Sequence, residues 1–141
     1  MQSSINSDCG QTKEQAIEAV RQGLGDFERY VNSLDMDQLM ELYFDDVKYM
    51  QHGVDTIEGK DRLKDQFIRI FERSSNIALS IQEIDSCGDM AYAHVLTTVT
   101  LKSVDGQDPQ KVILRVLEIW RRHPDNSWKL TRVSVNNPSG T

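Results

Sequence analysis

Residues 112–120, VILRVLEIW, are apolar on both parities, with Val112, Leu114, Val116 and Trp120 on one and Ile113, Leu117 and Ile119 on the other. Side chains of a strand point alternately to its two faces, so a strand of this kind has to be covered on both. Helices of the same chain can cover one face. The chain has no further segment to cover the other, so a homodimer through the outer sheet face is expected. Around this strand, 90–102 reads as a long partner joined to 111–122 by a hairpin whose loop contains Asp105-Gly106, and 128–136 reads as the last strand.

Helices account for the first half. Thr12 followed by Gln15 is a capping-box pattern, and Ile17, Val20, Leu24, Phe27, Val31 and Leu34 recur at spacings of three and four, which predicts a helix over 13–33. Gly23 and Gly25 weaken it by up to about 1 kcal/mol each relative to Ala, so they mark a close approach or a kink. Asp35 or Asp37 caps a short second helix carrying Leu39, Leu42 and Tyr43, and Asp45-Asp46 ends it and turns the chain. Next come a strand over 47–52, a turn at 57–59, a helix over 60–73 and a strand over 77–82. The expectation is an α+β fold with three N-terminal helices packed on a curved mixed or antiparallel sheet. Residues 12–137 form a single domain, with flexible tails at 1–11 and 138–141.

Composition narrows the partners. A net charge of −6 argues against nucleic acid and anionic membranes, which favour basic patches. No apolar run approaches the roughly 20 residues that span a bilayer, and 1–11 lacks the pattern of a signal peptide. Cys9 and Cys87 make neither a disulfide framework nor a metal motif, and no two of the three histidines stand at ligand spacing. A cytoplasmic protein with no metal and no cofactor is expected.

Five short motifs, in order, carry a resemblance: LYFDDV at 42–47, IEGKDRL at 57–63, CGDMAYAHV at 87–95, the DG turn at 105–106 and IWRRHPDNSWKL at 119–130. Over about 13–136 the chain resembles the NTF2-like superfamily, particularly its SnoaL-like and DUF4440-type members. The resemblance implies a cystatin-like cone, commonly dimeric, with a pocket between helices and concave sheet. It implies no single activity, because the superfamily holds isomerases, dehydratases, epoxide hydrolases, cyclases and binding modules. Ketosteroid-isomerase-like members use a Tyr on the first helix and an Asp near the end of the first strand. The matching positions here are Phe27 and Gln51, so that mechanism is not expected. The Arg-x-Asp arrangement of limonene-epoxide-hydrolase-like members is also missing, since Arg115 is followed two residues on by Leu117.

Anchored in this way, Val47, Tyr49 and Gln51 face the pocket from the first strand, and Tyr92, His94, Leu96 and Thr98 from the long one. A hairpin centred on Gly106 sets His94 opposite Glu118 and Tyr92 opposite Trp120, and directly opposed residues share a face. His94 and Glu118 are then the catalytic candidates, because a carboxylate beside a partly buried imidazole can titrate near neutrality. Gln51, Tyr49, Tyr92, Phe27, Trp120, Arg132 and Asn136 are the substrate-binding candidates, with Gln51 holding a carbonyl and Arg132 a carboxylate. One reading is a cofactor-independent isomerase, cyclase or dehydratase acting on an apolar organic molecule. The other is a non-catalytic ligand-binding or association module, in which a His–Glu contact is only a satisfied polar pair.

Overall fold

The computed structural model describes residues 12–138; the tail at 1–11 and the last three residues of the tail at 138–141 lie outside them. Helix α1 (Lys13–Asn32) opens on the expected capping box, with Thr12 Oγ1 accepting from the Gln15 amide and Gln15 Oε1 accepting from the Thr12 amide, each at 3.2 Å. Helix α2 (Met36–Met40) follows, capped by Asp35. Then come β1 (Tyr43–Gln51), β2 (Ile57–Glu58), α3 (Lys60–Phe71), β3 (Ser74–Cys87), β4 (Met90–Leu101), β5 (Lys111–Arg122) and β6 (Trp128–Asn136). The strands form one six-stranded sheet in the order β2-β1-β6-β5-β4-β3. Only β1 and β6 run parallel, so the sheet is mixed.

The helical layer differs from the expected three N-terminal helices. It holds one helix of 20 residues and two shorter ones of 5 and 12, and β1 and β2 precede the third. Tyr43 leaves the helical pattern because its backbone has a better partner. It pairs with Leu130 of β6, whose amide donates to the Leu42 carbonyl at 2.8 Å. Asp45-Asp46 therefore sit inside β1, where the register against β6 shifts between Tyr43 and Lys48. Ile57-Glu58, expected as a turn, pairs with β1. Among the described residues no helix is long and apolar enough to cross a membrane.

Two local features set which side chains face the helices. The β4–β5 hairpin turns on Asp105 and Gly106, both at positive φ (52° and 76°), and the Gln107 amide donates to the Val104 carbonyl at 3.0 Å. Its centre thus falls between those two residues and not on Gly106. The register is one residue off the expected one: His94 faces Leu117, and Glu118 faces Ala93. In β6, Ile119 pairs with Arg132 but Trp120 pairs with Leu130, so Thr131 is an extra residue. That bulge reverses the parity of everything after it.

Helix α1 lies across the sheet through Val20, Leu24 and Val31, all buried. Gly23 sits on the fully buried indole of Trp120, and a Cβ there would lie 2.7 Å from two of its ring carbons. Gly25 has nothing within 4 Å of the corresponding position. The two glycines should therefore respond oppositely to alanine. G25A is expected to gain up to about 1 kcal/mol from helix propensity. G23A is expected to lose stability, because overpacking a rigid core costs about 1–3 kcal/mol and exceeds that gain. Urea denaturation of the two variants beside the parent checks the sign of each.

Candidate active-site cavity

The registers arrange the concave face of the sheet in rows. Tyr43, Leu130, Trp120 and Ala91 form the deepest. Tyr49, Val133, Glu118 and Ala93 form the next, and Gln51, Val135, Val116 and Val95 the one above. Relative exposure along β5 rises from 0% at Trp120 through 5% at Glu118 to 8% at Val116, and Leu114 is only partly buried. The cone is closed at its Trp120 end by α1 and opens towards Leu114 and Leu79. Alternate small residues on β4, Ala91 and Ala93, leave room opposite Trp120 and Glu118.

Between this face and the helices lies a narrow cavity of about 60 Å³. Its walls are mainly apolar, with Phe27 of α1 and Phe67 of α3 in edge-to-face contact at 6.5 Å and Tyr49 against Phe67 at 5.2 Å. The polar groups on the wall are Glu118, Gln51, Thr97 and the phenols of Tyr43 and Tyr49. Trp120 Nε1 donates to Glu118 Oε1 at 2.9 Å. Burial pushes the Glu118 carboxyl up to about 7, against the opposing pull of the Trp120 hydrogen bond. Burial, and then the charge of Glu118, raises both phenols, so each is a neutral hydrogen-bond donor around neutral pH. Gln51 Oε1 is buried without a hydrogen-bond partner. A fully buried carbonyl oxygen left unpaired costs about 1–3 kcal/mol.

Of the expected site residues, Glu118, Gln51, Tyr49 and Phe27 line this cavity. His94 does not: it shares the opposite sheet face with Leu117 and with Glu83 of β3, so the His94–Glu118 pair does not form. Tyr92 is on that outer face too, hydrogen-bonded to Glu83, a contact that raises its phenol pKa. Trp120 lies beneath the cavity and touches it only through Glu118. Arg132 and Asn136 share a face, as expected, but the Thr131 bulge turns both outward. Arg132 Nη1 donates to the carbonyls of Thr131 and Asp46 at 2.7 and 3.2 Å, and Asn136 Oδ1 accepts from Arg115 Nε at 2.8 Å. Phe67, on the inner face of α3, belongs to the wall, and so do Tyr43 and Thr97, which were not anticipated there. The alternation of Ala91, Ala93, Val95 and Val99 with more polar neighbours was the signal for Thr97, which shares their parity. Among the described residues no cluster of three or more His, Cys, Asp or Glu is placed to hold a metal ion.

This architecture has known counterparts. A protein from Planctomyces limnophilus superposes with a TM-score of 0.79 at 19% identity, over 88% of this chain and 97% of that one. A ketosteroid isomerase-like protein from Erwinia carotovora atroseptica gives 0.75 at 20% identity, over 86% and 95%. An NTF2-like protein with a cystatin-like fold from Novosphingobium aromaticivorans gives 0.69 at 21% identity, over 88% and 82%. At such identities the likeness is one of fold. No curated protein matches by sequence. The family model described as a SnoaL-like domain matches residues 25–131, most of the helical layer and nearly all of the sheet. The chain therefore belongs to the SnoaL-like domain family.

Proposed function

We propose that this chain binds an uncharged, mostly apolar organic molecule and moves a proton on it with Glu118, in an isomerisation, cyclisation or dehydration. The observation that carries this reading is a buried carboxyl on the wall of an apolar cavity, tethered through one oxygen to Trp120 and pushed by burial up to about 7. A group with that midpoint can take a proton from carbon beside a carbonyl and return it elsewhere at neutral pH. Tyr49, neutral and in the same row, supplies a donor to the oxygen on which charge develops. His94 has no part in this chemistry, being across the sheet. Phe27 and Gln51 line the cavity without the phenol and carboxylate of the ketosteroid-isomerase pattern, which leaves the proton to Glu118.

The narrowness of the cavity favours a second reading, a module without turnover that binds at most a very small molecule. The two part in deuterium oxide. With a panel of small apolar ketones, an acid/base Glu118 exchanges the hydrogens beside the carbonyl, and E118Q slows the exchange by about 10²–10⁴-fold. Ligand binding with no exchange above buffer rate assigns the protein to the second reading.

Glu118 also makes stability depend on pH. Its folded midpoint of about 7 lies above its ordinary value of 4.5, so the folded chain holds this proton more tightly than the unfolded chain does. The stability so gained is fully present below the ordinary midpoint and is lost as pH rises through about 7, a change of about 3 kcal/mol. E118Q should flatten this dependence and melt higher than the parent above neutrality, as read by thermal scans across pH.

A second copy of this chain is the proposed cover for the outer sheet face. Ile113 and Leu117 are 52% and 51% exposed there, beside Ile119 and Leu96. Light scattering should give a dimer for the parent and a monomer for L117E.

A further inference from the structure

The two edges of the sheet are protected in different ways. β2, at one end, is two residues long and offers little backbone to pair with. β3, at the other end, runs for 14 residues, and among the described residues no strand lies beyond it. Extra residues at Ser75 and Gln82 break its register against β4, and the stretch 76–81 between them pairs without interruption. From Ser74 to Gln82 the strand has no charge, no proline and no glycine, and Ile77, Leu79 and Ile81 recur at every second position. An edge of this length and composition is a template for a further strand.

In the folded chain that template is already occupied. Asn32, at the end of α1, donates from Nδ2 to the Ile77 carbonyl at 3.0 Å, and its Oδ1 accepts from the Ile77 amide at 2.8 Å. One side-chain amide thereby makes both hydrogen bonds that an antiparallel partner residue would make. One turn earlier on α1, Glu28 Oε2 accepts from the Leu79 amide at 2.7 Å. Four residues of helix advance about 6 Å and two residues of strand about 7 Å, so one face of α1 keeps step with alternate residues of β3. Past Gln82 the protection changes to charge, with Glu83 and Asp85 on the strand and Lys13 Nζ 3.3 Å from Asp85 Oδ1.

We infer that Glu28 and Asn32 stand in for a seventh strand and close the β3 edge against a second copy of this chain. The partner they exclude is β3 itself. Two such edges can meet antiparallel about a two-fold axis, which sets the uncharged stretch 76–81 against its own copy and joins two sheets into one. This surface is the rim of the sheet and is separate from the outer face around Leu117. Neither Glu28 nor Asn32 lines the cavity, so the edge can be opened without altering the cavity wall.

The double variant E28A/N32A tests this, read by sedimentation velocity over a range of concentrations and by amide hydrogen exchange. Alanine is the best helix former, so the substitutions do not weaken α1 as a helix. The variant is expected to keep the circular dichroism of the parent and, when dilute, to exchange the Ile77 and Leu79 amides about 10-fold faster. As concentration rises it should form species of about twice the parent's mass or more. Adding S80K, a charge on an exposed position of the strand, should return it to the parent's mass. E28Q keeps the acceptor and should behave as the parent does. A double variant that holds the parent's mass at every concentration overturns the inference. Association that S80K fails to reverse overturns it as well, because it points to a loosened core and not to the edge. If the double variant loses its circular dichroism, N32A alone carries the same test with the same outcomes.

Discussion

The hydrogen bond from the Trp120 indole to Glu118 holds the site together. A carboxyl taken out of water without a partner is costly, and this one has a single donor against full burial. That donor is fixed only because the indole is immobile, and the indole is immobile because α1 reaches it without a side chain at Gly23. Three residues on two elements therefore set where a proton sits in the cavity. Opposite them, Ala91 and Ala93 set only methyl groups across from Trp120 and Glu118. Removing a buried aromatic of this size usually costs about 3–5 kcal/mol. The same ring thus supports both the packing of the cone and its buried carboxyl.

Most of the fold was legible because its signals are local. The Thr12–Gln15 box, the apolar stripe of α1 and the limits of β5 and β6 were each written in a few consecutive residues. The site was legible on one wall only. Gln51, Tyr49 and Phe27 follow from the anchoring on β1 and the stripe of α1, whereas Glu118 was reached through an expected pairing with His94 that does not form, because β5 is apolar on both parities and its own pattern does not choose a face. His94 and Tyr92 were misplaced because the anchoring set the parity of β4 one residue off, and the Asp-Gly turn, whose midpoint lies between its two residues, shifts the pairing by one as well, so the two errors offset each other at Glu118. Arg132 and Asn136 were misplaced for a different reason. The bulge at Thr131 has no signature in the segment itself, because it exists only in the pairing of β6 with β5. Tyr43 escaped notice because its strand partner, Leu130, is remote in sequence, and helical spacing fitted it as well.

The Gln51 oxygen shows how the family resemblance and the residues divide the work. The fold supplies the cone, and the side chains along its wall, the Glu118 carboxyl among them, supply its chemistry. At Phe27 and Gln51 this chain has replaced a donor by a bare ring and an anion by an amide, relative to the ketosteroid-isomerase pattern. The first change makes that side of the cavity indifferent to oxygen. The second keeps an acceptor while removing a charge, which relieves Glu118 of a like-charged neighbour.

The parallel pairing of β1 with β6 has a consequence for how the molecule is made. β1 precedes β6 by most of the domain in sequence, yet they lie side by side in the sheet, while β2 covers only the far edge of β1. Loop closure over such a separation is slow, because chain entropy is lost before the contacts that offset it are formed. On the ribosome, α1, α2, β1 and α3 emerge with their apolar faces unmatched until the segment around Trp128 and Asn136 has cleared the exit. The hairpin of β4 and β5 can form meanwhile, being local, and offers the surface on which β6 docks. Completion of the cone therefore waits for β6, and until then the exposed ladder of β1 is the part of the chain most in need of protection.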